Sequence, residues 1–161
     1  MILVSVGTQL RFDRLVGAVD RWAKDRGRTD VLAQIGEGRT PDHVRWVRRL
    51  APAEFRAHLA EATLVVAHAG MGVTISALEA GKPVLVVPRR AALREHRNEH
   101  QLATARRLAC WPGVRVCESV DELPAALDRP PPPPPPGVLS ADASPELLAA
   151  VRGFVFANRA A

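Results

Sequence analysis

Short apolar runs alternate along this chain with longer segments in which apolar residues recur every three or four positions. Runs of this kind are typical of strands buried on both faces of a sheet, and the recurring stripes are typical of amphipathic helices. Strand patterns occur at 2–6, 31–35, 43–47, 63–68, 83–88 and 114–117, and helical patterns at 12–23, 52–62, 71–80, 97–109 and 119–127.

This alternation predicts an α/β fold, in which a Rossmann-like parallel sheet with right-handed crossovers carries helices on both faces. Ligands of such sheets bind at the carboxyl ends of the strands. The segments that leave those ends are Gly7–Thr8, Gly36, His68–Gly72 and Pro88–Gln101. We expect them to share one side of the molecule.

Composition divides the chain into three parts. Residues 1–128 carry the alternating pattern, 129–143 contain seven consecutive prolines, and 144–161 have helical spacing after Ser144, a candidate N-cap. The proline run predicts a stiff polyproline II spacer, or else a docking site for a proline-binding domain. The tail either folds back on the sheet, which we favour, or presents its apolar face to a partner or a membrane surface.

Charge and composition narrow the class of protein. The apolar fraction of 47% predicts a globular domain, and the net charge of +5 favours anionic partners. Nucleic acid is disfavoured, because aromatic residues are 4% of the chain and basic residues form no block. We expect no transmembrane segment and no signal peptide. Cys110 and Cys117 fit neither a zinc motif nor a disulfide framework, which favours a cytoplasmic location.

The turn around Gly70 and Gly72 is the strongest functional signal. It follows an apolar strand and opens a helix, where backbone amides and the helix dipole favour a phosphate group. Ile75 stands where a dinucleotide motif has its third glycine, and no P-loop pattern is present. Arg89, just after Pro88, is placed either to contact phosphate or to lie in solvent.

Four motifs together carry a family resemblance: SVGT at the N-terminus, HAGMG, LEAGKPVLVVPR and NEHQ. Over roughly residues 1–127 the chain resembles the C-terminal, donor-binding domain of glycosyltransferase family 28. Its length and pattern are most similar to the small subunits of split transferases, which pair with a membrane-attached acceptor subunit. The resemblance therefore implies one half of a GT-B glycosyltransferase.

The resemblance also implies roles for individual residues. It places Gly7 and Thr8 near the donor phosphates, His68, Gly70, Met71 and Gly72 around the diphosphate, and Asn98, His100 and Gln101 at the sugar hydroxyls. One position departs from the family pattern. Ser76 stands where a glutamate often holds the ribose, and the nearest glutamate in the helix, Glu79, lies nearly one helical turn after Ser76. Other interpretations remain open, since His68 is also placed to be a partly buried structural histidine and Thr8 to cap the next helix.

An unrelated motif competes with this interpretation. His96, Glu99 and His100 spell HxxEH, in which two histidines on one helix share zinc and the glutamate acts as base. The segment follows a parallel strand and has no marked downstream ligand, so we expect no metal here, and no acidic pair is present to hold one elsewhere.

The sequence thus predicts the donor-binding subunit of a UDP-sugar-dependent transferase that moves a hexose or N-acetylhexosamine to a lipid-linked or polysaccharide acceptor. No cofactor is expected beyond the donor. The general base is expected in a membrane-associated partner subunit, and Thr8 and His68 are the candidates in this chain. Such a partner would recruit the chain to the inner face of the membrane. The alternatives are a non-catalytic nucleotide-sugar-binding or partner-stabilising subunit, and a nucleotide-binding regulator.

Overall fold

The computed structural model describes residues 1–137, 139, 145, 146, 148–150 and 152. Its strands are Ile2–Ser5 (β1), Val31–Gln34 (β2), Arg45–Val47 (β3), Leu64–His68 (β4), Val84–Val87 (β5) and Val114–Val116 (β6). Its helices are Asp13–Asp25 (α1), Pro52–Glu61 (α2), Met71–Glu79 (α3), His100–Leu108 (α4) and Leu123–Asp128 (α5), with a 3-10 turn at Ala91–Leu93.

The six strands form one parallel sheet in the order β3-β2-β1-β4-β5-β6. The central strands are fully buried, because each is covered by helices on both sides. The outer strand β3 is mostly exposed, in line with the weaker apolar pattern of its sequence. The predicted fold class is therefore confirmed.

Two apolar clusters lie on the two faces of the sheet. Helices α1 and α5 pack on one face, through residues such as Leu15, Trp22 and Leu123. Helices α2, α3 and α4 pack on the other face, through residues such as Leu59 and Leu108. This division follows the alternation of side chains along β1 and β4.

Two helix starts differ from the sequence prediction. The helix predicted over 97–109 begins at His100, because the preceding segment is held in a separate loop. The helix predicted from Ser119 begins at Leu123. Ser119 Oγ instead accepts the amide of Asp121 at 3.0 Å, in a local turn that precedes the helix.

The proline run packs against the domain. Pro131 and Pro134 are buried, whereas the other prolines from 130 to 136 are exposed. Pro134 lies against Gly113, where an added Cβ would stand 2.8 Å from the proline ring. The run is therefore anchored along its length and does not act as a free spacer.

The predicted C-terminal helix falls largely outside the described residues, as do the candidate cap Ser144 and most of the predicted apolar stripe. The described positions between 145 and 152 are helical, and Leu148 is 44% exposed. No helix among the described residues is long and apolar enough to cross a bilayer.

Candidate functional site

A cleft of about 500 Å³ lies at the carboxyl ends of β1, β4 and β5. The loops that follow these three strands, together with α3 and α4, form its walls. Most of the predicted contact residues line it: Gly7, Thr8, His68, Gly70, Met71, Gly72, Ser76, Arg89, His100 and Gln101. The parallel sheet therefore brings together residues that are far apart in sequence.

The first turn of α3 presents unpaired backbone amides to this cleft. Gly70 is the N-cap residue and supplies no side-chain cap, so the amides of Met71, Gly72 and Val73 have no acceptor within the helix. The Gly70 amide itself donates to the His68 carbonyl at 2.7 Å. Thr74 Oγ donates to the Gly70 carbonyl at 2.9 Å and fixes the turn. Three helix amides thus remain available for an anion.

The imidazole of His68 explains two of the glycines. A Cβ at Gly7 would stand 2.7 Å from His68 Cε1, and Gly7 also has a positive φ of 79°. A Cβ at Gly70 would overlap the same ring, at 2.7 Å from Cε1 and closer still to Nε2. The ring therefore fits between two backbone segments that can approach it only as glycine. This differs from the sequence interpretation, in which Gly70 was expected to make room for a ligand.

Gly72 is different, because a Cβ placed there would meet no atom within 4 Å. Gly72 is also one of the residues that line the cleft. Among the residues of this turn, Gly72 is therefore the position where the missing side chain leaves room for a bound molecule.

His68 is neutral at physiological pH. Burial, and then the nearby positive charge of Arg89, lower the pKa of His68 to about 4. A histidine with so low a pKa is a weak general base near pH 7. It remains able to donate or accept a hydrogen bond as a neutral ring.

Arg89 is buried, so of the two interpretations left open by its sequence position, the one that places it in solvent is wrong. Only 2% of the residue is exposed. Its Nη2 donates to the carbonyls of Val6 and Leu10 at 2.7 and 2.6 Å, and its Nη1 donates to those of Arg11 and Glu95 at 2.5 and 3.3 Å. These bonds occupy both Nη atoms, so Arg89 joins two loops of the cleft instead of offering a free fork to phosphate.

The charge of Arg89 persists in this setting. Burial lowers the pKa of Arg89 to about 10, which leaves it protonated at pH 7. Its guanidinium also lies 4.6 Å from the centroid of the Phe12 ring. The arginine therefore adds a positive field behind the cleft without pointing its Nη atoms into it.

Asn98 and Gln101 do not share a helix face, although both fall within the helix predicted over 97–109. Asn98 lies before α4, is exposed and does not line the cleft. Its Oδ1 contacts His100 Nδ1. Gln101 is buried at the start of α4, where its Oε1 accepts the Arg89 amide at 3.1 Å. Gln101 Nε2 has no partner among the described residues, so a ligand in the cleft can use it as a donor.

The remaining predicted positions keep their places with altered surroundings. Ser76 is half-buried on α3 and lines the cleft, while Glu79 lies further along the helix and is exposed. Thr8 is exposed in the loop after β1 and does not cap α1, which begins only at Asp13. Gly36, at the end of β2, is not part of the cleft lining, and Arg48 Nη1 donates to its carbonyl.

The glutamate of the HxxEH motif, Glu99, has a structural role. Glu99 Oε1 accepts the amides of Ala91 and Ala92 at 2.9 and 3.3 Å, at the start of the 3-10 turn. His96 and His100 pack edge to face, with ring centroids 4.4 Å apart. Among the described residues, no three His, Cys, Asp or Glu side chains are grouped so as to hold a metal ion.

Sequence reasoning missed several lining residues: Val6, Gln9, Leu10, Phe55, His96 and Thr104. Thr104 follows His100 by one helical turn, so helical spacing alone would have found it. Leu10 and Met71 are large apolar residues that stay 40% and 42% exposed. Among the described residues the lining includes no Asp or Glu, and its ionisable side chains are Arg89, His68, His96 and His100. The cleft is therefore suited to an anionic ligand.

Solved structures with a similar fold include several glycosyltransferases. The glycotransferase of kitacinnamycin has a TM-score of 0.59 and 24% identity, over 79% of this chain and 33% of that chain. The calicheamicin glycosyltransferase CalG4 has a TM-score of 0.57 and 22% identity, over 80% of this chain and 34% of that chain. The chain thus spans about a third of the length of these two proteins.

ALG13, solved in solution by NMR, has a TM-score of 0.58 and 17% identity, over 83% of this chain and 88% of that chain. At such identities these likenesses establish the fold. A comparison with curated protein sequences gave no match. Residues 1–134 match the glycosyltransferase family 28 C-terminal domain, and the chain belongs to that family.

Proposed function

We propose that the cleft binds the diphosphate of a UDP-sugar and that the chain is the donor-binding part of a glycosyltransferase. The single observation that carries the proposal is the first turn of α3, whose three amides have no helical acceptor and whose Gly72 leaves open space beside them. A charge-assisted hydrogen bond from each amide would contribute about 1.5–3 kcal/mol. The helix dipole adds about 0.3–2 kcal/mol.

The proposed chemistry is transfer of the sugar to an acceptor hydroxyl. The hydroxyl oxygen bonds to the anomeric carbon while the bond from that carbon to the β-phosphate oxygen breaks, and UDP leaves with the bonding pair. Negative charge grows on the leaving diphosphate, where the α3 amides and the field of Arg89 stabilise it most. The acceptor proton passes to a general base.

The base is proposed to come from a partner. No carboxylate from the described part of the chain lines the cleft, and the pKa of His68 is lowered to about 4. Burial, and then the neighbouring charge of His100, also lower the pKa of His96. The family match covers a C-terminal domain, and two of the similar glycosyltransferases are about three times as long as the matched part. We therefore infer that this chain alone binds donor and transfers little, and that an acceptor-binding, membrane-associated subunit completes it.

The sugar and the acceptor are proposed only as classes: a hexose or N-acetylhexosamine, moved to a lipid-linked or polysaccharide acceptor. Gln101 Nε2, His100 and Thr104 are the polar groups on α4 that line the cleft and can reach sugar hydroxyls. Ser76 replaces the glutamate expected at the ribose, so ribose contacts would come from shorter side chains or from backbone.

Binding is tested by calorimetry and thermal shift with UDP, UDP-GlcNAc, UDP-glucose, UDP-galactose and UDP-glucuronate. A ligand that binds the native state raises the melting temperature by mass action. We expect UDP to bind and one UDP-sugar to bind more tightly than UDP. Equal shifts for UDP and every UDP-sugar would favour the nucleotide-binding regulator, and no shift with any of them would refute the proposal.

The decisive variant is Gly72→Ala, since its Cβ enters open space at the amides. We expect about tenfold weaker UDP binding, or about 1.4 kcal/mol, with the melting temperature of the free protein unchanged. Gly17→Ala is the matched control. Gly17 also lies in a helix, and its Cβ would meet only Arg21 Nη1, at 3.5 Å. Unchanged transfer by the Gly72→Ala variant in an assembled complex would favour a partner-stabilising subunit.

A further inference from the structure

The proline run has a burial pattern with a period of three. Pro131 and Pro134 are buried, while the residues at 129, 130, 132, 133, 135 and 136 are exposed. Three residues per turn is the repeat of a polyproline II helix, so one of its three edges is buried and the other two face solvent. We call the segment Arg129–Pro136 the proline ridge.

The ridge is fixed to the domain at two points. Pro134 packs on Gly113, immediately before β6, and Gly113 itself has a positive φ of 81°. Arg115 Nη1, on β6, donates to the Arg129 carbonyl at 2.5 Å. These contacts hold the ridge in one rotational setting, whereas a free proline peptide can turn any edge toward a partner.

The exposed edges present an ordered pattern. Pro132–Pro133 and Pro135–Pro136 form two exposed pairs one turn apart, about 9 Å along the helix. Arg129 is exposed at the end of α5, just before the first proline of the ridge. Within the described part of the chain, its guanidinium has no hydrogen-bonded partner. The ridge therefore carries two exposed proline pairs and has one positive charge at its start.

We propose that the proline ridge is a binding site for a protein domain with an aromatic-lined groove that has a carboxylate at the end facing Arg129. Such grooves take proline pairs of a preformed polyproline II helix, and little conformational entropy is lost because the ligand is already ordered. Arg129 would pair with the carboxylate and set the direction of binding. The ridge begins at the end of α5 and does not line the cleft, so this site is independent of donor binding.

The test uses a purified SH3 domain, chosen beforehand because it binds a synthetic peptide of residues 127–137. Its dissociation constant is measured by calorimetry for the peptide and for the full chain. We expect the full chain to bind at least as tightly as the peptide. Binding more than tenfold weaker would overturn the proposal, since the exposed edges would then be blocked or wrongly shaped.

Paired variants separate the edges. Pro132→Ala with Pro135→Ala should weaken binding to the full chain at least tenfold without changing its melting temperature. Pro131→Ala with Pro134→Ala should lower the melting temperature instead. In the free peptide the two double substitutions should weaken SH3 binding about equally, because a free polyproline helix can shift or rotate in the groove. Equal effects of the two pairs on SH3 binding by the full chain would overturn the proposal.

Arg129→Gln tests the charge. We expect the Arg129→Gln chain to bind the SH3 domain severalfold more weakly, with an affinity that no longer depends on salt concentration. The Arg129→Lys chain should keep most of the affinity and most of its salt dependence. If the ridge only holds the chain against the domain, neither variant should change SH3 binding. That result would count against the proposed carboxylate in the groove of the partner.

Discussion

In the loop after β5, the Arg89 guanidinium donates to four backbone carbonyls, whereas in the first turn of α3 three amides have no helical acceptor. Both regions border the same cleft, and sequence reasoning assigned both to the phosphate groups. The contrast separates groups that build the cleft from groups that remain free to bind. A polar side chain near a ligand site is a strong candidate contact only when its hydrogen-bonding atoms are not already paired.

The largest effect is expected from Arg89→Met. The change removes four hydrogen bonds and leaves loop carbonyls unpaired, so we expect the free energy of unfolding to fall by about 3–5 kcal/mol. Urea unfolding measures it, with Arg90→Met as control. Arg90 is more exposed, and among the described residues its side chain donates only to Glu118, so its replacement should cost less than about 1 kcal/mol. Normal stability with lost UDP binding would instead make Arg89 a phosphate ligand.

Acidification should destabilise the protein through His68. The unfolded residue takes up a proton near pH 6.5, while the folded residue takes it up only near pH 4. The unfolded state binds more protons between these values, so stability is lost as the pH falls from about 6.5 to 4, by about 2–3 kcal/mol. Urea unfolding across this range, compared with His68→Gln, isolates the contribution. Parallel curves for the two proteins would show that His68 titrates normally.

The contrast between the two glycines of the turn is sharpened by Gly70→Ala. Its Cβ overlaps the His68 ring, so we expect a loss of about 1–2 kcal/mol in unfolding free energy. The loss should vanish in a His68→Ala background, because the obstructing ring is gone, and a double-mutant cycle measures this coupling. Gly72→Ala, which meets nothing, serves as control. Additive effects of Gly70→Ala and His68→Ala would show that the His68 ring is not the reason why residue 70 must be glycine.

The fold was predictable because it depends on local patterns. Apolar runs and helical stripes give the order of strands and helices along the chain. Whatever the order of the strands within a parallel sheet, their carboxyl ends lie at the same edge. This placed Gly72 and His100 on the same cleft correctly, although they come from different loops.

Errors arose where hydrogen bonds of individual side chains, and not the apolar pattern, decide the outcome. The segment before α4 is not helical, because Glu99 accepts amides of the 3-10 turn and Glu95 accepts the Arg90 amide and pairs with Arg14. Burial of Arg89 depends on carbonyls near the N-terminus, which no pattern around Arg89 reveals. Only the folded chain brings these partners together.

The anchored prolines also change where the domain can be cut. A chain ended at residue 128 would lose Pro134, which packs on Gly113 just before the edge strand β6, and the Arg129 carbonyl, which accepts a hydrogen bond from Arg115 of that strand. Unprotected outer strands recruit strands of other molecules and promote aggregation. Prolines suit this position because they have no amide hydrogen to extend the sheet. Soluble fragments for crystallisation or partner screening should therefore retain the residues through Pro136.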